Sequence, residues 1–217
     1  MALHAFVHAH LPSPPARVLE VGCGRGDLAR ALARAGHRVV AIDPHAPPGE
    51  LFRTTTLEDF ADPDPFDAVV ASRSLHHVAD LPAALDKIAR LLRLHGRLIL
   101  NEHACDRLDE PTARWYLDKR AHIHPGAPRS LERCLHDWEA DHAGLHGYAA
   151  MRAELDRRFT EHFFCWMPYL YDELAGAASE QEERALIEAG SIQAMGFRYV
   201  GDRPAAQAIV AGGLPAR

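Results

Sequence analysis

Between residues 17 and 101 the chain alternates short apolar runs with helical stripes. Arg17-Val18-Leu19-Glu20-Val21 predicts a buried strand. Leu28, Ala31, Leu32 and Ala35 then recur at helical spacing, behind Asp27 as a candidate N-cap and ahead of Gly36 as a C-terminal stop. Val39-Val40-Ala41-Ile42 predicts a second strand, closed by Asp43. Leu51–Thr55 reads as a short strand and Phe66–Ser72 as the next. A helix capped by Asp80 carries Leu85, Ile88, Ala89 and Leu92 toward Gly96, and Arg97–Leu100 is another strand. This rhythm predicts an α/β fold whose mostly parallel sheet has helices on both faces.

The rhythm breaks at residues 103–178, where helical segments carry Trp115, Tyr116, Trp138, Trp166 and seven of the histidines. Glu182–Met195 reads as a helix, with Phe197–Val200 and Gln207–Ala211 as two closing strands. The pattern divides the chain into a core, residues 1–102 and 179–217, and a helical lid or substrate insertion over 103–178. Residues 1–15, ending in Pro12-Ser13-Pro14-Pro15, read as a lead-in loop.

The 217 residues hold 47% apolar and 25% charged side chains, enough for a packed domain. The formal net charge of −6 argues against a nucleic-acid or anionic-membrane partner. Cys23, Cys105, Cys134 and Cys165 are widely spaced, without a CxxC pair, as free thiols in a reducing compartment would be. No run nears the ~20 apolar residues of a membrane helix. The expectation is a cytoplasmic protein, monomer or homodimer, with a small-molecule substrate.

The chemistry concentrates at Glu20-Val-Gly22-Cys-Gly24-Arg-Gly26, between a strand and a helix. Glycines there allow a tight turn and close backbone approach to a ligand. A dinucleotide fingerprint would carry a third glycine where Asp27 stands, and that carboxylate would repel a pyrophosphate. The turn suits a nucleoside without phosphates. Asp43, at the end of the second strand, is placed to accept both hydroxyls of a ribose.

Val18–Asp27 resembles motif I of the class I S-adenosylmethionine (SAM)-dependent methyltransferases, and Val39–Asp43 resembles their motif II. Phe66–His77 is similar to their motif IV region, and Leu91–Glu102 to the following strand and its approach. The resemblance implies a Rossmann-like fold of seven strands with the lid after the fifth strand, SAM as cofactor and S-adenosylhomocysteine as product. It implies that Gly22, Gly24 and Gly26 underlie the methionine and sugar, that Glu20 holds the loop near the amino group, and that Asp43 binds the ribose. It places the adenine by Thr56, Leu57, Glu58 and Asp59, with Thr56 where the family often has an acid. Backbone at Ser72 or Arg73 would face the methionine. The connection at 44–50 is too short for the family's usual helix.

Methyl transfer to oxygen or nitrogen gains from a general base, and candidates stand at strand ends: His77 first, Glu102 second. His76, His103, Trp115 and Tyr116 are candidates for the substrate pocket. His122/His124 and His142/His146 have usable metal spacing, but no cysteine or acid cluster completes a set, and no metal is expected. The rival readings are a non-catalytic SAM-binding protein and an NAD-dependent oxidoreductase. Asp27 and the lack of a Tyr-x-x-x-Lys pair count against the second.

Overall fold

A computed structural model describes residues 2–123 and 130–205. Seven strands form one sheet: β1 (Arg17–Val21), β2 (Arg38–Asp43), β3 (Phe52–Thr54), β4 (Phe66–Ser72), β5 (Leu92–His103), β6 (Thr160–Met167) and β7 (Gly196–Asp202). Their order is β3-β2-β1-β4-β5-β7-β6. The first five are parallel, and β7 runs antiparallel to both neighbours.

Both faces of the sheet are covered, which explains the continuous apolar runs of the central strands. Helices α1 (Leu3–His10) and α2 (Asp27–Arg34) lie on the face that buries Val18, Ala41, Val70, Ile99 and Val200. Helices α3 (Leu81–Leu91) and α6 (Tyr148–Arg158) cover the face of Leu19, Ile42, Val69, Leu98 and Tyr199. A third cluster joins α4 (Glu110–Ile123), α5 (Leu131–Asp141) and α7 (Leu170–Glu173) around Tyr116, Trp138 and Leu170. Helix α8 (Glu180–Glu188) precedes β7.

Several expectations need correcting. Residues 103–178 are not all helical, because Thr160–Met167 is β6, paired antiparallel with β7. It lies at the sheet edge, and its Phe163-Phe164-Cys165-Trp166 run lacks the alternation that marks a strand in sequence. Residues 3–10 are helical, with Leu3, Phe6 and Val7 inward. The α3 helix ends at Leu91, and β5 runs from Leu92 straight through Gly96. The α8 helix stops at Glu188, just before Gly190 turns left-handed (φ +68°). Asp27 is the first residue of α2, not its cap; that place belongs to Gly26, also left-handed (φ +79°). Gln207–Ala211 lies outside the described residues.

Candidate active site

The C-terminal tips of the parallel strands meet at the β1/β4 junction, where chain order reverses direction across the sheet. Ligands of open α/β sheets bind at such a point. A cleft of about 580 Å³ opens there. Gly22 and Gly24 line it from the β1 turn, Asp43 from β2, Leu57 and Glu58 from the next loop, and Ser74 and His77 from the loop after β4.

The glycine turn divides its labour. A Cβ on Gly22 (φ +73°) would lie 2.4 Å from Cβ of Ser74, whose hydroxyl donates to the Val21 carbonyl at 3.1 Å. A Cβ on Gly26 would strike the Phe52 ring at 2.4 Å, so Gly26 serves packing and is not part of the cleft wall. Gly24 (φ +50°) has no atom within 4 Å of its would-be Cβ, leaving open the space a ligand would enter. Asp43 fixes this turn: Oδ2 accepts from the Gly24 amide at 2.9 Å and Oδ1 from the His45 amide at 2.7 Å. A carboxylate has about four acceptor positions, so both oxygens keep capacity for a diol.

Glu20 sits beneath the turn, buried, and its Oε2 has no hydrogen-bond partner among the described residues. Burial pushes its carboxyl up to about 7; the Ala29 amide opposes this, while the charges of Asp27 and Asp43 add to it. The acidic groups gathered at this turn, Glu20, Asp27 and Asp43, favour a cation over a pyrophosphate, and of these Asp43 lines the cleft while Glu20 lies buried behind it. The residues present therefore fit the cationic, phosphate-free nucleoside SAM.

Behind the cleft, Glu102 is 1% exposed. Its Oε1 accepts from the amides of Ser74 (2.9 Å) and Leu75 (2.8 Å), and its Oε2 lies 2.7 Å from His76 Nδ1. These bonds hold the 3-10 turn Leu75–His77. Three hydrogen bonds thus engage Glu102, which also lines the hollow at the tips of β4, β5 and β7. His76 is buried with it, while the adjacent His77 ring, 4.1 Å from that of His76 by centroid, reaches the cleft. Burial, then the neighbouring His76, lowers the pKa of His77 against the pull of Glu102.

A second hollow of about 280 Å³ adjoins the tips of β4, β5 and β7. Arg73 lines both hollows, and its Nη1 pairs with Asp172 Oδ2 at 2.7 Å. Ser72, expected at the cofactor, faces this second hollow and accepts from Asn101 Nδ2 at 3.2 Å. Tyr169 forms another wall and stacks on His103 at 3.9 Å, 4° from parallel. His103 is 2% exposed, and burial, then His142, His76 and Arg73, holds its pKa down to about 3.

Trp115 and Tyr116 line neither hollow. Trp115 borders a separate depression with Arg114 and Leu131. Tyr116 packs edge-on against Trp138 and donates to Glu173 at 3.2 Å, as a core residue of the third cluster. Among the described residues no group of three His, Cys, Asp or Glu could hold a metal ion. His142 Nδ1 lies 2.8 Å from the Trp138 carbonyl and His146 Nε2 lies 2.9 Å from that of Val78, while His124 lies outside the described residues. No described helix is long and apolar enough to cross a membrane.

Sequence reasoning named Arg73 only for its backbone and missed Glu183. Glu183 is fully buried and accepts from the amides of Tyr169, Leu170 and Tyr171, at 2.8, 3.2 and 2.7 Å. Its signal was an acidic residue on the stripe of α8 that also carries Leu186 and Ile187.

A family model described as a methyltransferase domain matches residues 2–141. A ubiquinone biosynthesis O-methyltransferase from Xylella fastidiosa (strain 9a5c) is 37% identical over 111 residues, 44% of this chain and 45% of the relative. The match thus spans less than half the length of that curated relative. Two crystal structures share the fold. N-methyltransferase NodS from Bradyrhizobium japonicum WM9, in complex with S-adenosyl-L-homocysteine, has a TM-score of 0.55 at 14% identity, covering 94% of this chain and 84% of that one. The 1,6-didemethyltoxoflavin-N1-methyltransferase of Burkholderia thailandensis, with 1,6-didemethyltoxoflavin and S-adenosylhomocysteine bound, has a TM-score of 0.58 at 21% identity, covering 93% and 76%. The matched domain, the strand order and the acidic glycine turn agree: the chain belongs to the methyltransferase-domain family, the class I SAM-dependent methyltransferases.

Proposed function

We propose that the protein transfers a methyl group from SAM to an oxygen or nitrogen of a small molecule. The observation that carries this reading is the acidic cradle: buried Glu20 with its unpartnered oxygen, beneath a glycine turn tied to Asp43. Glu20 would meet the cofactor's amino group and Asp43 its ribose, with Leu57 and Glu58 by the adenine. When bound, SAM supplies a methyl on a sulfonium, already a good leaving group.

The chain's own residues orient the reactants and exclude water. Bound in the cleft, SAM would supply its methyl to an acceptor lone pair, and the chain's residues would hold that acceptor in line and take its proton. The acceptor's proton passes to a ring nitrogen of His77, which its lowered pKa keeps neutral at pH 7. The relative's printed O-methyltransferase activity and the N-methyltransferase activity of both structural neighbours support oxygen and nitrogen alike.

Calorimetry with SAM, S-adenosylhomocysteine and NAD tests the reading. The first two should bind and NAD should not. Asp43→Ala should weaken SAM binding by about tenfold or more, the loss of charge-assisted hydrogen bonds worth ~1.5–3 kcal/mol. An unchanged dissociation constant would remove Asp43 from the ribose site.

A further inference from the structure

We propose that Arg73 is the counter-ion of the cofactor's carboxylate: its guanidinium, at the tip of β4, holds the methionine end of SAM while keeping its bond to Asp172. This role rests on the proposed function above and adds a binding side chain to it.

The cleft is short of positive charge. SAM carries a carboxylate beside its ammonium and sulfonium. Asp43 and Glu58 line the cleft, and Glu20 lies buried behind it. These acids suit the two cationic groups and repel the anion. Arg73 is the only lysine or arginine among the described residues that line the cleft. His77 also lines it, but burial and the neighbouring His76 lower its pKa, so it is neutral at pH 7. A carboxylate taken out of water here without a cation would be costly.

The order of the sheet puts Arg73 at the matching end. Strands β2, β1 and β4 are neighbours. Asp43 closes β2, Gly22 follows β1, and Arg73 follows β4. With the ribose at Asp43, the methionine arm crosses the glycine turn toward β4. Neighbouring strands lie about 4.8 Å apart, so the tips of β2 and β4 are roughly 10 Å apart, within reach of that arm and an arginine side chain together.

The guanidinium is held in place but not used up. Arg73 has a left-handed backbone (φ +52°), which a non-glycine residue keeps only where its surroundings impose it. Its amide donates to the Asn101 carbonyl at 2.8 Å. Its Nη1 donates to Asp172 Oδ2 at 2.7 Å, and the guanidinium lies 6.0 Å from the centre of the Tyr169 ring. Both members of the ion pair are about half exposed, and such a pair contributes little to stability. A guanidinium offers five donors in a planar fork that matches a carboxylate. Asp172 and the Tyr169 phenol engage only part of that fork, so a second carboxylate can bind without displacing the first.

The test is calorimetry with SAM and with decarboxylated SAM, which keeps the sulfonium and the amine and lacks only the carboxylate. The wild-type protein should bind SAM about tenfold more tightly or better, a comparison that needs no variant. Arg73→Gln should weaken SAM binding by about tenfold and hold the affinity for decarboxylated SAM within about threefold. Asp172→Asn breaks the ion pair and spares the guanidinium, so its SAM affinity should stay within about threefold of wild type. Equal binding of the two cofactors by the wild type would overturn the assignment. So would an unchanged SAM dissociation constant in Arg73→Gln, a loss there shared by both cofactors, or an equal loss in Asp172→Asn. Each of these leaves the proposed function standing. Wild-type protein that binds neither cofactor would overturn the proposed function, and the assignment with it.

Discussion

The Oε2 atom of Glu102 lies 2.7 Å from Nδ1 of His76, at the tip of β5 and wholly out of solvent. The same carboxylate receives two backbone amides, so one side chain sets the turn that aims His77. Glu102→Ala should orphan two amides and a ring nitrogen and lower stability by roughly 2–5 kcal/mol. Urea melts give that loss. Glu102→Gln retains an acceptor and should recover part of it, which a direct catalytic role in proton removal would not allow for turnover.

His77→Ala should leave SAM affinity nearly unchanged and lower kcat by about 10²–10⁴-fold. Because its pKa is lowered, the acid limb of the wild-type kcat profile should lie below the ordinary histidine value and vanish in the variant. Undiminished turnover would exclude His77 from the mechanism.

Glu20 makes binding and stability depend on pH in opposite senses. With its carboxyl pushed up to about 7 from 4.5, the free folded protein holds a proton that the unfolded chain releases across that window. The contribution of this residue to stability therefore declines as pH rises from 4.5 through 7. SAM affinity should rise over the same range, since the ammonium favours the carboxylate. Glu20→Gln should flatten both trends, as melts and calorimetry at several pH values would read.

His103 has the reverse sign for stability. Its imidazole stays neutral down to about 3 in the folded protein, while the unfolded chain takes up a proton near 6.5. Its contribution is lost as pH falls through that interval. His103→Gln should reduce the slope of stability against pH below 6.5, and an unaltered slope would contradict the buried neutral ring.

Two glycines should separate folding from binding. Gly22→Ala puts a methyl 2.4 Å from Ser74 at φ +73° and should cost roughly 1–3 kcal/mol of stability. Gly24→Ala meets no protein atom within 4 Å, so its larger effect should fall on the SAM dissociation constant.

The parallel half of the fold was legible because its central strands β1 and β4 are near-continuous buried apolar runs, and Gly22 and Asp43 mark the ends of the first two strands. The cleft lining followed, since Gly22, Gly24, Asp43, Leu57 and Glu58 lie close to their strands in sequence. The second hollow was not legible. It joins Leu3, Arg73, Asn101 and Tyr169 from distant segments. Nor could pattern tell that Glu102 receives two backbone amides, or that Trp115 and Tyr116 line neither hollow. A side chain's partners depend on tertiary packing, which no local period encodes.

Strand β7 enters the sheet against the direction of β5, so its beginning, at Gly196 and Arg198, stands at the ligand edge. Every residue assigned to the cofactor lies before residue 80, but this wall of the hollow arrives with the last strand described. During synthesis the nascent polypeptide thus completes the lining of the cleft at the glycine turn long before it can close this hollow. Until β7 docks, the hydrogen-bonding edge of β5 stays bare, and that interval is when a ribosome-associated chaperone would have most to shield.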